Sequence, residues 1–186
     1  MNATTPLVGE PPAIDLVNTV TADGDLLAGP EELGAWLALE AERHPEFGGV
    51  TADRAALKAV LAVRDHAAAA FGALVEGRRP PESSLGGLAA AVNAAPNRTR
   101  LDWDAGAVVA SVQREGTTAD RLAADFAQAA IDLLTDPAVA KLRRCGAEDC
   151  VLLFVPAHPR RQWCSPERCG NRVRVARHYE RRKAAR

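Results

Sequence analysis

A chain of 186 residues, 47% of them hydrophobic, has room for one sizeable domain and an appendage. None of its apolar runs approaches the ~20 residues of a membrane-spanning helix, so no membrane partner is expected. The net charge of −1 hides a polarity: residues 141–186 hold thirteen Lys/Arg against four Asp/Glu, and residues 1–140 hold ten against twenty. Such asymmetry points to a polyanionic partner for the C-terminal part and against one for the remainder. Residues 1–9 show neither the basic nor the apolar region of a secretion signal, and the expected location is cytoplasmic.

Residues 1–140 read as mainly helical. Residues 13–20 are apolar but too few for periodicity to decide between a strand and a helix start. Asp23-Gly24-Asp25 marks a turn. Pro30-Glu31-Glu32 opens a helix, with a tolerated first-turn proline and acids matched to the helix dipole; Leu33, Trp36, Leu37 and Leu39 supply its apolar face, and it is expected to stop near His44. Thr51 is the expected cap of a second helix with its body over 54–76, ended by Gly77 and Pro80-Pro81. A shorter helix follows over 84–93. Residues 99–103 and 107–112 read as a hairpin around Asp104-Ala105-Gly106, marginal unless helices pack on it. Residues 118–134 form a last amphipathic helix before Asp136-Pro137.

The polar residues Asp15, Asn18 and Thr19 inside the first apolar segment have two readings. They are a small-molecule effector site or, the favoured reading, local caps and turns. His44 and His66 stand apart from other candidate ligands or nucleophiles. No nucleophile–base pair, phosphate loop or open metal site is present, so the chain reads as a non-enzyme.

The four cysteines all lie in the last quarter, spaced Cys145-x4-Cys150, thirteen residues, then Cys164-x4-Cys169. Four thiolates in so short a span suit one closed, tetrahedral, structural Zn²⁺ site. An iron–sulfur cluster uses the same ligands, and disulfides need an oxidising compartment. Around the ligands, Gly146 permits a tight knuckle. Residues 151–155 read as a short apolar strand, with 160–163 returning as its partner. Ser165-Pro166-Glu167 reads as a helix start, with an N-cap and a first-turn proline. The expected fold class is therefore α+β. A mainly helical N-terminal domain with a short β-hairpin occupies 1–140, and a small treble-clef-like finger of knuckle, hairpin and helix occupies 141–186.

On a helix running from Pro166 to about Lys183, Cys169, Val173, Ala176 and Ala184 share one face with Glu180, expected to point at the metal. Arginines occupy both flanks. A zinc tetrathiolate carries a formal −2, which needs one or two arginines rather than this number. The surplus points to nucleic acid, with Arg160, Arg161, Arg168, Arg172, Arg174, Arg177, Arg181 and Arg182 as candidate contacts. Asn171 has two readings, adenine contact or backbone tether, and Trp163 two, cover for the zinc or base stacking.

The run Cys164-Ser165-Pro166-Glu167-Arg168-Cys169-Gly170-Asn171-Arg172 resembles the CGNR zinc finger, whose motif stands at residues 169–172. Leu142-Arg143-Arg144-Cys145, Leu153-Phe154 and Arg161-Gln162-Trp163-Cys164 fit the same pattern. Asp15-Leu16-Val17-Asn18-Thr19 followed by Glu32-Leu33-Gly34-Ala35-Trp36-Leu37 resembles the ABATE domain usually found with that finger. The resemblance implies a stress-related bacterial transcription regulator that binds DNA, with the four cysteines as zinc ligands. A small-molecule effector and a homodimer are compatible with such a regulator. In one departure, relatives commonly carry an Asp and a Ser-Arg-Asn-like turn after the Leu-Phe strand, where this chain has Pro156-Ala157-His158-Pro159-Arg160. An RNA-binding or ribosome-associated zinc protein is the alternative, and an N-terminal enzyme with a zinc docking tail the weakest. On these grounds, serine at both Cys164 and Cys169 is expected to unfold the C-terminal module and spare the N-terminal domain.

Overall fold

Three long helices build the N-terminal core of the computed structural model, which describes residues 8–184 and, at 177–180 and 184, the backbone alone. Labelled in chain order, these are α3 (Arg54–Val75), α4 (Glu82–Ala94) and α5 (Thr118–Thr135), packed on one another in all three pairings. Alanines at 56, 67, 123, 127 and 130 are buried between them, which lets the backbones approach closely. The Asp53 carboxylate caps α3 by accepting from the Ala56 N–H at 2.7 Å, two residues beyond the expected Thr51. Thr117 and Asp120 cap α5 reciprocally.

Two shorter helices close the core. α1 (Pro12–Val17) lies against α5 and α3, and α2 (Pro30–Glu40) lies against α3. The undecided segment 13–20 thus begins as helix and ends in β1 (Val20–Thr21), which pairs antiparallel with β2 (Gly24–Asp25). Buried Arg64 fastens this turn to α3, donating to both Asp25 carboxylate oxygens at 2.7 and 2.6 Å and to the Thr19 hydroxyl at 2.9 Å. α2 stops at Glu40, short of the expected His44. A single 3₁₀ turn at Pro45–Phe47 then brings Phe47 under Phe126. Phe126 stacks on Phe47 at 4.5 Å and on Trp36 at 5.3 Å between ring centroids.

The hairpin is longer than its sequence pattern suggested. β3 (Asn97–Asp104) and β4 (Ala107–Arg114) join through Ala105-Gly106, both at positive φ (47° and 84°), the two-residue geometry that matches strand twist. Among the described residues no helix covers the hairpin extensively: β3 is exposed along its whole length, and the strands pack extensively only on each other. Its root is fixed by Arg114, which donates to Asp125 at 2.5 Å and to the Ala95 carbonyl at 2.9 Å.

In the C-terminal part, β5 (Arg143–Arg144) pairs antiparallel with β6 (Leu153–Phe154). This corrects the expected partner, residues 160–163. Pro156 and Pro159 interrupt the return, Arg161 N–H closes a turn onto the His158 carbonyl at 2.9 Å, and the strand entering the knuckle takes the free edge. One wide turn, Pro166–Gly170, leads into α6 (Asn171–Ala184). Among the described residues no helix is long and apolar enough to cross a membrane.

Two acids are buried where α1 meets α2. Asp15 accepts from the N–H groups of Gly9 and Glu10 and from Arg43; Glu40 is 0% exposed and neither of its oxygens has a partner. Burial pushes Asp15 up to about 7, and burial with the Asp15 charge pushes Glu40 up to about 8. Both values stand above those of the unfolded chain. The stability these groups confer is full in acid and is lost as pH rises from about 4 through about 8. The zinc-loaded protein should therefore lose stability between about pH 5 and pH 8. Glu40→Gln should flatten that slope and raise stability at pH 8.5 by on the order of 2 kcal/mol, measured by chemical denaturation. An unchanged slope in the variant would contradict the assignment.

Candidate metal centre

The knuckle is set by backbone bonds at both ends. Cys145 N–H donates to the Leu152 carbonyl at 2.9 Å, Cys150 N–H to the Ala147 carbonyl at 3.1 Å, and Gly146 N–H to the Gln162 carbonyl at 2.9 Å. These bonds place Cys145 and Cys150 opposite Cys164 and Cys169. All four Sγ atoms lie within 4.8 Å of one another, with Cys150–Cys164 at 3.8 Å and Cys164–Cys169 at 3.6 Å. Thiolates at ~2.3 Å around one tetrahedral Zn²⁺ would stand about 3.8 Å apart, so the donor set fits that ion.

The sulfurs cannot all ionise together unaided. Hydrogen bonding from Cys164 pulls the Cys150 thiol down to about 5, while Cys164 is driven up by that same bond, and burial pushes Cys169 up to about 11. A cation removes this competition. Two donors point at the sulfurs: Cys164 N–H lies 3.4 Å from Cys145 Sγ, and Arg172 donates to Cys169 Sγ at 3.6 Å while pairing with Asp149 at 2.7 Å.

Trp163 explains both glycines of the module. A Cβ at Gly170 would lie 3.0 Å from its ring, and one at Gly146 would lie 3.2 Å from it and 3.1 Å from the Gln162 carbonyl oxygen. The indole is thus wedged between knuckle and helix, against the buried cysteines and Phe154. Ser165 caps the helix as expected, its hydroxyl accepting from Glu167 and Arg168 N–H at 3.2 Å. Its carbonyl accepts from both Cys169 and Gly170, the wide turn that sets the last ligand in place. The apolar face of α6 is shorter than its periodicity suggested. Val173 packs on the metal core, but Ala176 is exposed; the side chains of Glu180 and Ala184 lie outside the described residues.

β6 is a wall shared by two cores. Leu153 points into the helical core, and Phe154 into the cysteine cluster. Asn18 pairs with Leu153 as another strand would, accepting from its N–H at 2.8 Å and donating to its carbonyl at 2.9 Å. Glu10 adds a second clasp, taking the Val155 N–H at 2.9 Å on one oxygen and Arg161 at 2.6 Å on the other. Arg161 also donates to the carbonyls of Trp163 and Cys164 and lies 4.6 Å over the Phe154 ring.

The sequence-level candidates divide accordingly. Asp15 and Asn18 line one cleft of about 240 Å³ with Glu10 and Arg161, but their polar atoms are engaged in internal bonds. Thr19 is elsewhere, donating to the Leu16 carbonyl and accepting from Arg64. Arg161 is occupied by the junction. Arg160, Arg172, Arg174, Arg181 and Arg182 are exposed, and Arg168 is half-buried; the Arg177 side chain lies outside the described residues. Asn171 is exposed and accepts from Arg174. Arg168, Asn171 and Arg172 line a groove of about 530 Å³ beside the β1–β2 turn. Glu10 was missed by sequence reasoning, because nothing local links it to a residue 151 positions away.

Two family matches agree with this layout. Residues 10–137 match ABATE, described as "Putative stress-induced transcription regulator". Residues 141–182 match the CGNR zinc finger. No curated protein matches the chain. The four cysteines form the site of one structural zinc.

The shared wall changes the expected outcome of removing the metal. Cys164→Ser with Cys169→Ser should abolish stoichiometric zinc, read by elemental analysis. It should also destabilise the helical domain by about 2–4 kcal/mol, because Leu153 and the Asn18 bonds are lost with the finger. Asn18→Ala should cost about 1–3 kcal/mol by leaving the buried Leu153 backbone unpaired while zinc stays bound. Retained zinc in the double variant would reject the metal assignment, and an unchanged melting curve would reject the coupling.

Proposed function

The chain belongs to the ABATE family and ends in a CGNR zinc finger, and on that basis we propose that it is a zinc-dependent DNA-binding transcription regulator whose arginine-rich α6 contacts the duplex. The observation that carries the reading is the charge on that helix together with its mounting. α6 is rooted by Cys169, in the turn that leads into it, and by Val173 in its first turn, and beyond them it presents Arg174, Arg181 and Arg182 to solvent.

Zinc folds a module too small to hold itself by apolar burial. The arginines then supply phosphate affinity, and a guanidinium can also donate to guanine O6 and N7 in bidentate fashion. Arg160, Arg168, Arg172, Arg174, Arg177, Arg181 and Arg182 make up the proposed surface; Arg161 is left out because its guanidinium holds the junction. The acidic residues 1–140 repel phosphate, which confines DNA to the finger. Neither family description names a reaction, and the proposal includes none. It also places no effector on Asp15, Asn18 and Thr19, whose polar atoms are already bonded.

Fluorescence anisotropy on random-sequence duplex DNA across a salt series tests this. Affinity should fall steeply with salt and vanish after chelation. Arg181→Ala with Arg182→Ala should reduce the log–log slope by about 2, close to 0.9 per lost phosphate contact. Binding that ignores both salt and chelation would overturn the reading, and a strong preference for RNA would move it to an RNA partner.

A further inference from the structure

The β3–β4 ribbon is the feature that neither the metal centre nor the DNA reading uses. Its register sorts the residues onto two unlike faces. Thr99, Leu101 and Trp103 share one face with Val108, Ala110 and Val112, since Thr99 pairs with Val112, Leu101 with Ala110, and Trp103 with Val108. The other face carries Arg98, Arg100, Asp102 and Asp104. That face is satisfied in water: Arg100 pairs with Asp102 at 3.1 Å, and Arg98 with Glu115 at 2.6 Å.

The apolar face is bare. Leu101 is 67% exposed, Trp103 72%, Val108 65% and Val112 60%. Among the described residues no helix packs extensively on the ribbon, and a two-stranded hairpin is marginal by itself in water. We infer that this ribbon is a dimerisation arm, its apolar face packing on the same face of a second copy of the chain.

Three observations favour a second copy as the occupant. First, the strip carries no charge across its middle, so nothing on it selects a partner of opposite sign. Second, it is self-complementary in volume. Trp103 and Val108 are bulky at the tip, Thr99 is small toward the root, and Ala110 leaves room opposite Leu101. Two ribbons stacked antiparallel, about 10 Å apart, would set each Trp103 over the Thr99–Val112 pair of the other. Such self-complementarity is what a two-fold interface requires. Third, the area suffices. The four large side chains expose on the order of 500 Å², the size of a functional patch on a soluble protein. Two copies would bury about 1,000 Å² there, and Thr99 and Ala110 extend this toward the ~1,200 Å² of a stable interface.

The inference does not depend on the DNA reading and is tested without nucleic acid. Sedimentation velocity of the zinc-loaded full chain, from about 1 to 100 µM, should show a dimer. Trp103→Asp should weaken it by about 30-fold or more, as expected when a charge replaces a large aromatic anchor of an interface. Arg100→Ala, on the opposite face, should leave it intact. A monomer throughout, a dimer indifferent to Trp103→Asp, or equal loss in Arg100→Ala would each overturn the proposal. A second readout does not depend on a disruptive variant. Acrylamide quenching of tryptophan in the unaltered chain should decrease as protein concentration rises, because Trp36 is already buried in the helical core and Trp163 is wedged in the finger. Trp103→Phe should remain dimeric and lose that concentration dependence. Quenching that never changes with concentration would also overturn the proposal.

Discussion

Four sulfurs held within 4.8 Å of one another repel as thiolates and gain little as thiols. A divalent cation makes the arrangement favourable, and the finger has too little apolar surface to stay folded without one. From that cluster the rest of the C-terminal architecture follows. Cys145 and Cys150 fix the knuckle, the knuckle fixes the two-residue strand β6, and Cys169 fixes the root of α6. Because β6 alternates, the metal core receives Phe154 and the helical core receives Leu153. A strand this short could not hold two cores by ladder bonds alone. Asn18 and Glu10 supply the missing edge from the N-terminal side, each accepting a backbone N–H that would otherwise be unpaired.

Charge and apolar surface are segregated along the same lines. The basic residues concentrate on the finger, and the helical domain is acidic. Its strongest exposed apolar feature, the ribbon face, stands on a hairpin fastened at its root by Arg114. A guanidinium has two jobs in this chain. Arg64, Arg114 and Arg161 are internal fasteners with several acceptors each, whereas Arg174, Arg181 and Arg182 stand in solvent. Sequence position alone does not separate the two kinds, since Arg160 is exposed and its neighbour Arg161 is committed to the junction.

What was legible in the sequence was local. The cysteine spacing gave the ligand set, Ser165-Pro166-Glu167 gave the helix start, and proline and glycine punctuation gave the long helices to within a few residues. What was misread depended on distant partners. The strand opposite β6 is not legible in the sequence, because β5 is only two residues long and leaves no periodic signal, whereas the downstream segment reads as a strand despite the two prolines that interrupt it. Asp53 displaced Thr51 as the α3 cap because an aspartate one step from the first helical residue reaches the N–H that Thr51 cannot. The metal-facing side of α6 was overextended because angular periodicity describes a helix, not how far its neighbour reaches. The hairpin was legible as two strands, but its lack of cover is a property of the packing around it.

The shared strand has a thermodynamic consequence. Zinc binding free energy is folding free energy for a module that cannot fold without the metal. If the two cores were merely tethered, that energy would stay within the finger. Here the ordering of β6 also completes the wall around Leu153 and pairs the buried polar atoms of Asn18. Zinc therefore contributes to the stability of the helical domain, and by linkage the helical domain contributes to zinc affinity by the same free energy. The reciprocity passes through few atoms: two bonds at Asn18, two at Glu10, and the apolar side chains of Leu142, Leu153 and Val155. Glu10 also donates its backbone N–H to the Asp15 carboxylate at 3.2 Å, which ties the bridge to the start of α1.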